Sequence, residues 1–164
     1  MPQVLILMGS ASDAPVMQAA ADALSELGVT SEMTVASAHR SPDRVRRLVE
    51  EAPGRGVRVF VVGAGAAAHL AGVVAAHTAL PVVGVPIDSS ALKVLDALLS
   101  TVQMPPGVPV ATVAVGKPGA TNAGVLAAQM IALADDALAA RLRDYKRTLA
   151  EKVEEAARQV ERKG

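Results

Sequence analysis

The chain has 164 residues, with Lys+Arg and Asp+Glu equal at 16 each, an aromatic content of 1% and no cysteine. Charge balance, with Phe60 and Tyr145 as the only aromatic residues, excludes both the net field that draws proteins onto nucleic acid or anionic membranes and the stacking platforms of single-strand binders. The lack of cysteine excludes thiol nucleophiles, disulfides and thiolate metal sites. With no basic leader before the first apolar run, it points to a cytoplasmic protein.

A length of this order suits one domain, 1–164, that buries about two-thirds of its unfolded surface. Val4 to Met8 is an apolar run bounded by Gly9, the pattern of a strand buried on both faces of a parallel sheet. Pro15 opens a helix whose apolar face runs through Val16, Ala20, Ala23, Leu24 and Leu27, and Gly28 closes it at the C′ position. The alternation then repeats. Strand two is expected over Ser31 to Ala36 with a helix from Pro42 to Ala52, and strand three over Val57 to Val62 with a helix from Ala67 to His77. Strand four spans Val82 to Val85 with a helix from Ala91 to Val102, and strand five Val110 to Val115 with a helix from Asn122 to Ala134.

Five strands alternating with helices across short loops predict an α/β three-layer sandwich: a five-stranded parallel sheet, flavodoxin-like order 2-1-3-4-5, with right-handed crossovers. At Asp135 the charge density rises into a long C-terminal helix, 135–164, with apolar residues at Leu138, Leu142, Tyr145, Leu149, Val153, Ala156 and Val160. The stripe predicts an oligomerisation helix, against the alternative that it docks on its own domain. The longest apolar runs are broken well short of a membrane span.

Three loops leave the carboxyl ends of strands, where open α/β sheets bind ligands. The first, Gly9-Ser10-Ala11-Ser12-Asp13, enters a helix N-terminus, where free N–H groups and the dipole favour an anion. Asp13 also suits the N-cap of that helix. The second, Ser37-Ala38-His39-Arg40, places a titratable imidazole beside a permanent cation. Ser41 and Pro42 follow as N-cap and first helical residue. The third, Gly63-Ala64-Gly65-Ala66-Ala67-Ala68-His69, lets a flat ligand lie against backbone. Its match to G-x-G-x-x-A imitates a dinucleotide fingerprint, but it follows the third strand and leaves no separate substrate domain.

His69 lies in the first turn of its predicted helix and can face the site, whereas His77 is far down that helix and reads as a packing residue. No acid or thiol joins them at a metal-ligand spacing, so no metal or other cofactor is expected. The adjacent pairs Glu50-Glu51, Asp135-Asp136 and Glu154-Glu155 read as solvated surface. An anion-binding backbone with one central His and one Arg suits proton transfer on a small phosphorylated metabolite.

Taken together, Gly9-Ser-x-Ser-Asp13, Ser37-Ala-His-Arg40, Gly63-Ala-Gly65 with Ala67-Ala-His-Leu70, and Ser100-x-Val-Gln-Met-Pro105 with Gly107-x-Pro-Val-Ala-Thr112 resemble the PurE family, the N5-carboxyaminoimidazole ribonucleotide (N5-CAIR) mutases of purine biosynthesis. The resemblance runs from strand one to about Ala134. It implies a homo-octamer with sites near subunit contacts, and transfer of a carboxyl group from the exocyclic nitrogen of an imidazole ribonucleotide to ring carbon C4, with CO2 as an enclosed intermediate. It further implies His39 as general acid and base, a role suited to an unperturbed pKa of about 6.5. Ser10, Asp13 and Arg40 would hold the ribose phosphate, and Ser37, Gly65, Ala67 and His69 would line the base and CO2 pocket. Ser12, Ala38 and Leu70 complete the substrate-binding set that it implies.

The chain departs from the family pattern at Ala66, where a second glycine is common, at Ala71, where proline follows His-Leu, and over Lys93 to Ala97. There Val94 and Ala97 replace a glycine and a hydroxyl. Valine in a left-handed conformation is strained, so a different local backbone is expected at Val94. A carboxylase adding free CO2 to the unmodified aminoimidazole ribonucleotide needs the same chemistry, and the resemblance favours the mutase. A non-catalytic flavodoxin-like module of the phosphoacceptor kind would need an acidic cluster where only Asp13 is available.

Overall fold

A computed structural model describes residues 1–162. The sheet is built from β1 (Val4–Met8), β2 (Ser31–Val35), β3 (Val59–Gly65), β4 (Val82–Ile87) and β5 (Ala111–Thr112). All neighbours are parallel and the order is β2-β1-β3-β4-β5, as the alternation predicts. The helices are α1 (Ala14–Glu26), α2 (Pro42–Glu51), α3 (Leu70–Ala76), α4 (Leu95–Val102), α5 (Gly116–Ala132) and α6 (Asp136–Glu161). Lys163 and Gly164, the end of the expected 135–164 helix, lie outside the described residues.

Strand side chains alternate between two cores. Val4, Ile6, Met8, Val61 and Val85 pack with α1, α5 and the start of α6, while Leu5, Leu7, Phe60 and Val62 pack with α2 and α3. α1 closes as the sequence predicts: Gly28 is left-handed at φ 71°. Its N–H donates to the Ser25 carbonyl, and that of Val29 donates to Leu24, the two bonds of a Schellman motif. α1 and α5 approach closely because Gly124 has no side chain; a Cβ there would lie 2.6 Å from the Ala20 carbonyl oxygen.

Several boundaries differ from expectation, each for a local reason. β3 starts at Val59 and runs on through Gly63-Ala64-Gly65, which the sequence assigns to a loop. Gly63 is a strand residue without a side chain because Met17 of α1 and Ile87 of β4 fill the space beside it. α3 begins at Leu70 rather than Ala67, since Ala66 is left-handed at φ 52° and the Ser100 hydroxyl accepts the Ala68 N–H at 3.0 Å. β4 continues two residues past Val85 to Ile87.

β5 shrinks to two residues at the sheet edge, where proline at 109 has no N–H for the ladder. α5 starts at Gly116, six residues before Asn122. Pro118 is tolerated in its first turn, and Gly119 is required there because a Cβ would run into the Ala114 carbonyl. His77 is exposed rather than packed.

The C-terminal stripe divides. Leu138 and Leu142 are buried in the core that α1 and α5 share, and Arg141 Nε donates to the Leu27 carbonyl at 2.8 Å. Beyond Tyr145 the stripe is uncovered, with Val153 66% and Val160 73% exposed.

The expectation that the backbone around Val94 avoids the left-handed region is overturned: Lys93 and Val94 both occupy it, at φ 48° and 72°. α4 therefore begins only at Leu95. A β-branched residue in this region stores strain on the order of 1–3 kcal/mol, from which the greater unfolded-state freedom of glycine subtracts up to about 1 kcal/mol. Val94→Gly is expected to stabilise the protein by about 1 kcal/mol, a rise in Tm of about 2–4 °C. A lowered Tm in a thermal melt would refute the strain.

Candidate functional site

The loops after β1, β2 and β3 converge on a cavity of about 500 Å³ lined by Gly9, Ser10, Ser12, Asp13, Ser37, Ala38, His39, Arg40, Ala64, Gly65, Ala67, His69, Leu70 and Ser89. Every residue singled out in the sequence as catalytic or substrate-binding lies in this wall. A second hollow of about 490 Å³ lies at the opposite edge, around Thr78, Leu80, Pro81 and Pro109, and its lining has no titratable side chain.

The first loop is a single 3-10 turn, Ala11–Asp13, running directly into α1. The Ser12 N–H and hydroxyl both reach Ser10 Oγ, at 3.3 and 2.9 Å. Asp13 occupies the N-cap position of α1, but its side chain makes no bond to that helix. The preceding turn points the carboxylate backwards, where it accepts the Ser10 N–H at 3.1 Å. Asp13 is only 6% exposed. Burial pushes its carboxyl above the ordinary value, and the Ser10 N–H offsets part of that rise.

The second loop is braced from within. Ser41 precedes α2, with Pro42 in its first turn, but the Ser41 hydroxyl does not cap the helix. It accepts the Ser37 N–H at 3.3 Å and donates to the Ser37 carbonyl at 3.2 Å. The Ser37 hydroxyl in turn accepts from Arg40 N–H and Nε, at 3.2 and 3.4 Å. Arg40 Nη2 then donates to the Gly9 carbonyl at 3.1 Å, tying the second loop to the first. Ser37 and Ser41 therefore shape the turn that presents His39.

His39 and His69 meet across the cavity, Nε2 to Nδ1 at 2.7 Å, with ring centroids 4.9 Å apart and planes at 81°. One ring donates and the other accepts, so the proton on one fixes the tautomer of the other. Among the described residues no three His, Cys, Asp or Glu side chains gather at one point. The chemistry on offer is proton transfer beside a cation and serine hydroxyls.

Two contributors escape the sequence reading. Ser89, beyond the end of β4, lines the cavity. Ser100, read only as part of a motif, anchors the third loop through Ala68 and donates to the Asp96 carbonyl at 2.6 Å. The Gly-x-Gly spacing carries a signal for Ser89, since a Cβ on Gly65 would collide with its hydroxyl; what fills that space is not written near Gly65.

The sequence profile of the family described as AIR carboxylase matches residues 3–152. The chain is 49% identical to the N5-carboxyaminoimidazole ribonucleotide mutase of Thermotoga maritima, covering 100% of this chain and 95% of that one. It is 50% identical to the enzyme of the same name from Bacillus subtilis, covering 97% and 98%. The crystal structure of Treponema denticola PurE superposes with a TM-score of 0.87 at 27% identity, covering 97% of this chain and 98% of that one. No helix among the described residues is long and apolar enough to cross a membrane.

The displaced Asp13 carboxyl sets a sign for pH dependence. The folded protein holds this proton more tightly than the unfolded chain, whose ordinary value is 3.8. Ionisation therefore costs stability as pH rises through the window from 3.8 to the higher folded value, and the cost is complete above it. Asp13→Asn keeps an acceptor for the Ser10 N–H without the charge. Between about pH 3.5 and 7, denaturant midpoints should shift in favour of the variant relative to wild type; a shift toward wild type would contradict the assignment.

Proposed function

This chain belongs to the AIR carboxylase family, and from that membership and the loop geometry we propose that it is an N5-CAIR mutase acting in purine biosynthesis. The observation that carries the choice over a carboxylase is identity near one half, across essentially the whole chain, to relatives named as mutases. The single charged grip and the one histidine pair in the cavity suit the reaction. Arg40 holds the ribose phosphate, with Ser10, Ser12 and Asp13. The imidazole then lies toward His39, His69, Gly65 and Ala67.

His39 is the proton carrier. As the N–C bond breaks, its electron pair stays on the exocyclic nitrogen, which takes a proton from His39, and CO2 is released into the cavity. The ring's C4 then uses its enamine pair to form the new C–C bond. His39 removes the C4 proton, and that C–H pair restores the aromatic ring. The net reaction is an isomerisation, so the proton given is returned and one histidine serves both steps. His69 fixes the tautomer of His39 through the bond between them.

The chain works as one domain, in the cytoplasm, as a homo-octamer in which α6 is the oligomerisation element. The uncovered Leu149, Val153 and Val160 on that helix support this reading, because they leave apolar surface that a further copy would remove from water. Light scattering at micromolar concentration should give an octamer. The mass of one 16.7 kDa chain would overturn the assembly.

Turnover of N5-CAIR without added bicarbonate tests the reaction itself, and activity only with aminoimidazole ribonucleotide and high CO2 would make the enzyme a carboxylase. His39→Asn should lower kcat by at least the 10²- to 10⁴-fold typical of general acid–base work, with ligand affinity near normal. Retention of more than about a tenth of wild-type kcat would reduce His39 to a structural residue. Arg40→Ala should instead lose about 1.5–3 kcal/mol of binding, read mainly as a raised KM.

A further inference from the structure

The turn between β4 and α4 supplies a hydroxyl that the three recognised loops leave unassigned. Ser89 and Ser90 are adjacent but differently used. Ser90 Oγ accepts the Leu92 N–H at 3.1 Å and its carbonyl accepts the Lys93 N–H at 3.4 Å, so Ser90 builds the turn. Ser89 is exposed into the cavity, and its hydroxyl makes no hydrogen bond among the described residues. It stands two residues beyond Ile87, which is in register with Gly65 in the sheet. A Cβ on Gly65 would collide with Ser89 Oγ and lie 2.8 Å from Ser89 Cβ; the end of β3 is bare where the neighbouring strand's serine stands. A donor standing beside a glycine in a ligand wall, with no partner among the described residues, is free for the ligand.

The strand order says which part of the ligand it meets. The one permanent cation of the cavity wall, Arg40, lies over β2 and β1, where it is bonded to Gly9, so the anionic end of a phosphorylated ligand lies there. Strands are spaced about 4.8 Å apart, so β4 lies two to three steps, roughly 10–14 Å, from the β2 and β1 ends where the anion sits. The reacting edge of the base therefore points toward β3 and β4, where His69, Gly65 and Ser89 stand.

Resting on the mutase reading, we propose that Ser89 donates a hydrogen bond to the migrating carboxyl group and holds it in the cavity between its two attachments. A neutral hydroxyl suits this task. A cation would stabilise the carboxylate at both ends of the reaction far more than the uncharged CO2 between them, and so would resist its release. A serine hydroxyl grips the carboxylate modestly and still orients CO2 toward C4.

The test is the fate of the carboxyl group. Wild type and Ser89→Ala are given N5-CAIR in labelled bicarbonate, and label entering the product is measured together with free aminoimidazole ribonucleotide. Loss of one neutral hydrogen bond should raise the escaping share by about 2- to 12-fold. Ser90→Ala is the control: it should weaken the turn, lower Tm and leave the partition unchanged. An unchanged partition in Ser89→Ala, even with a uniformly lowered kcat, or an equal change in Ser90→Ala, would overturn the proposal while leaving the mutase reading intact. Failure of wild type to convert N5-CAIR at all would overturn both.

Discussion

Met8 stands in register with Val35 on one side and Gly63 on the other, and the whole site depends on that alignment. Parallel strands held at one level release their loops at one level, so residues from positions 9–13, 37–40 and 63–69 face a common space without any contact specific to it. The register is enforced by burial. β1 is apolar on both faces, with all five residues buried, and a one-residue slip would exchange the residues that serve the two cores. Stability is concentrated in the sheet, and the loops are left free to be polar.

Those loops are not floppy, because small side chains tie them to one another. Ser41 braces Ser37, Ser37 braces Arg40, and Arg40 reaches the Gly9 carbonyl. Ser100, from the helix after β4, holds the third loop through Ala68. Each tie is a modest neutral or singly charged hydrogen bond, worth about 0.5–3 kcal/mol. Their combined effect is to fix where the imidazole of His39 points, which a proton carrier that must serve two atoms of one ring edge requires. The pairing with His69 adds a tautomer to the list of fixed quantities.

Much of this was legible from residue types. The apolar runs gave the strands, Gly28 marked a true left-handed C′, and small polar residues after the strands marked the cavity wall. What escaped depends on partners distant in the chain. Gly63 and Gly65 look like loop residues until Met17 and Ser89 are seen filling the space beside them. Gly116, Lys117, Pro118 and Gly119 look like a helix breaker, yet Gly119 starts a buried helix face because Ala114 leaves no room for a side chain. At Val94 the local rule was sound and the inference from it was wrong. The tertiary path through the β4–α4 turn keeps a left-handed residue there, and this chain accommodates valine at the cost of strain.

α6 shows the same separation of local from distant causes. Its first turns are set by tertiary burial: Asp135 caps the helix through the Leu138 N–H, and Leu138 and Leu142 join the core. Its outer turns have no such anchor, yet they stay helical, supported by the Arg147–Asp144 and Arg158–Glu155 pairs and by Gln159 on Glu155. Such exposed pairs contribute only a few tenths of a kcal/mol each, enough to bias a helix that is already nucleated by its buried end. The consequence is a preformed rod, about 39 Å long for its 26 residues, whose charged faces suit water and whose remaining stripe does not. Because the rod is ordered before anything meets that stripe, covering it would cost little further backbone entropy, and the apolar area removed from water would count almost in full.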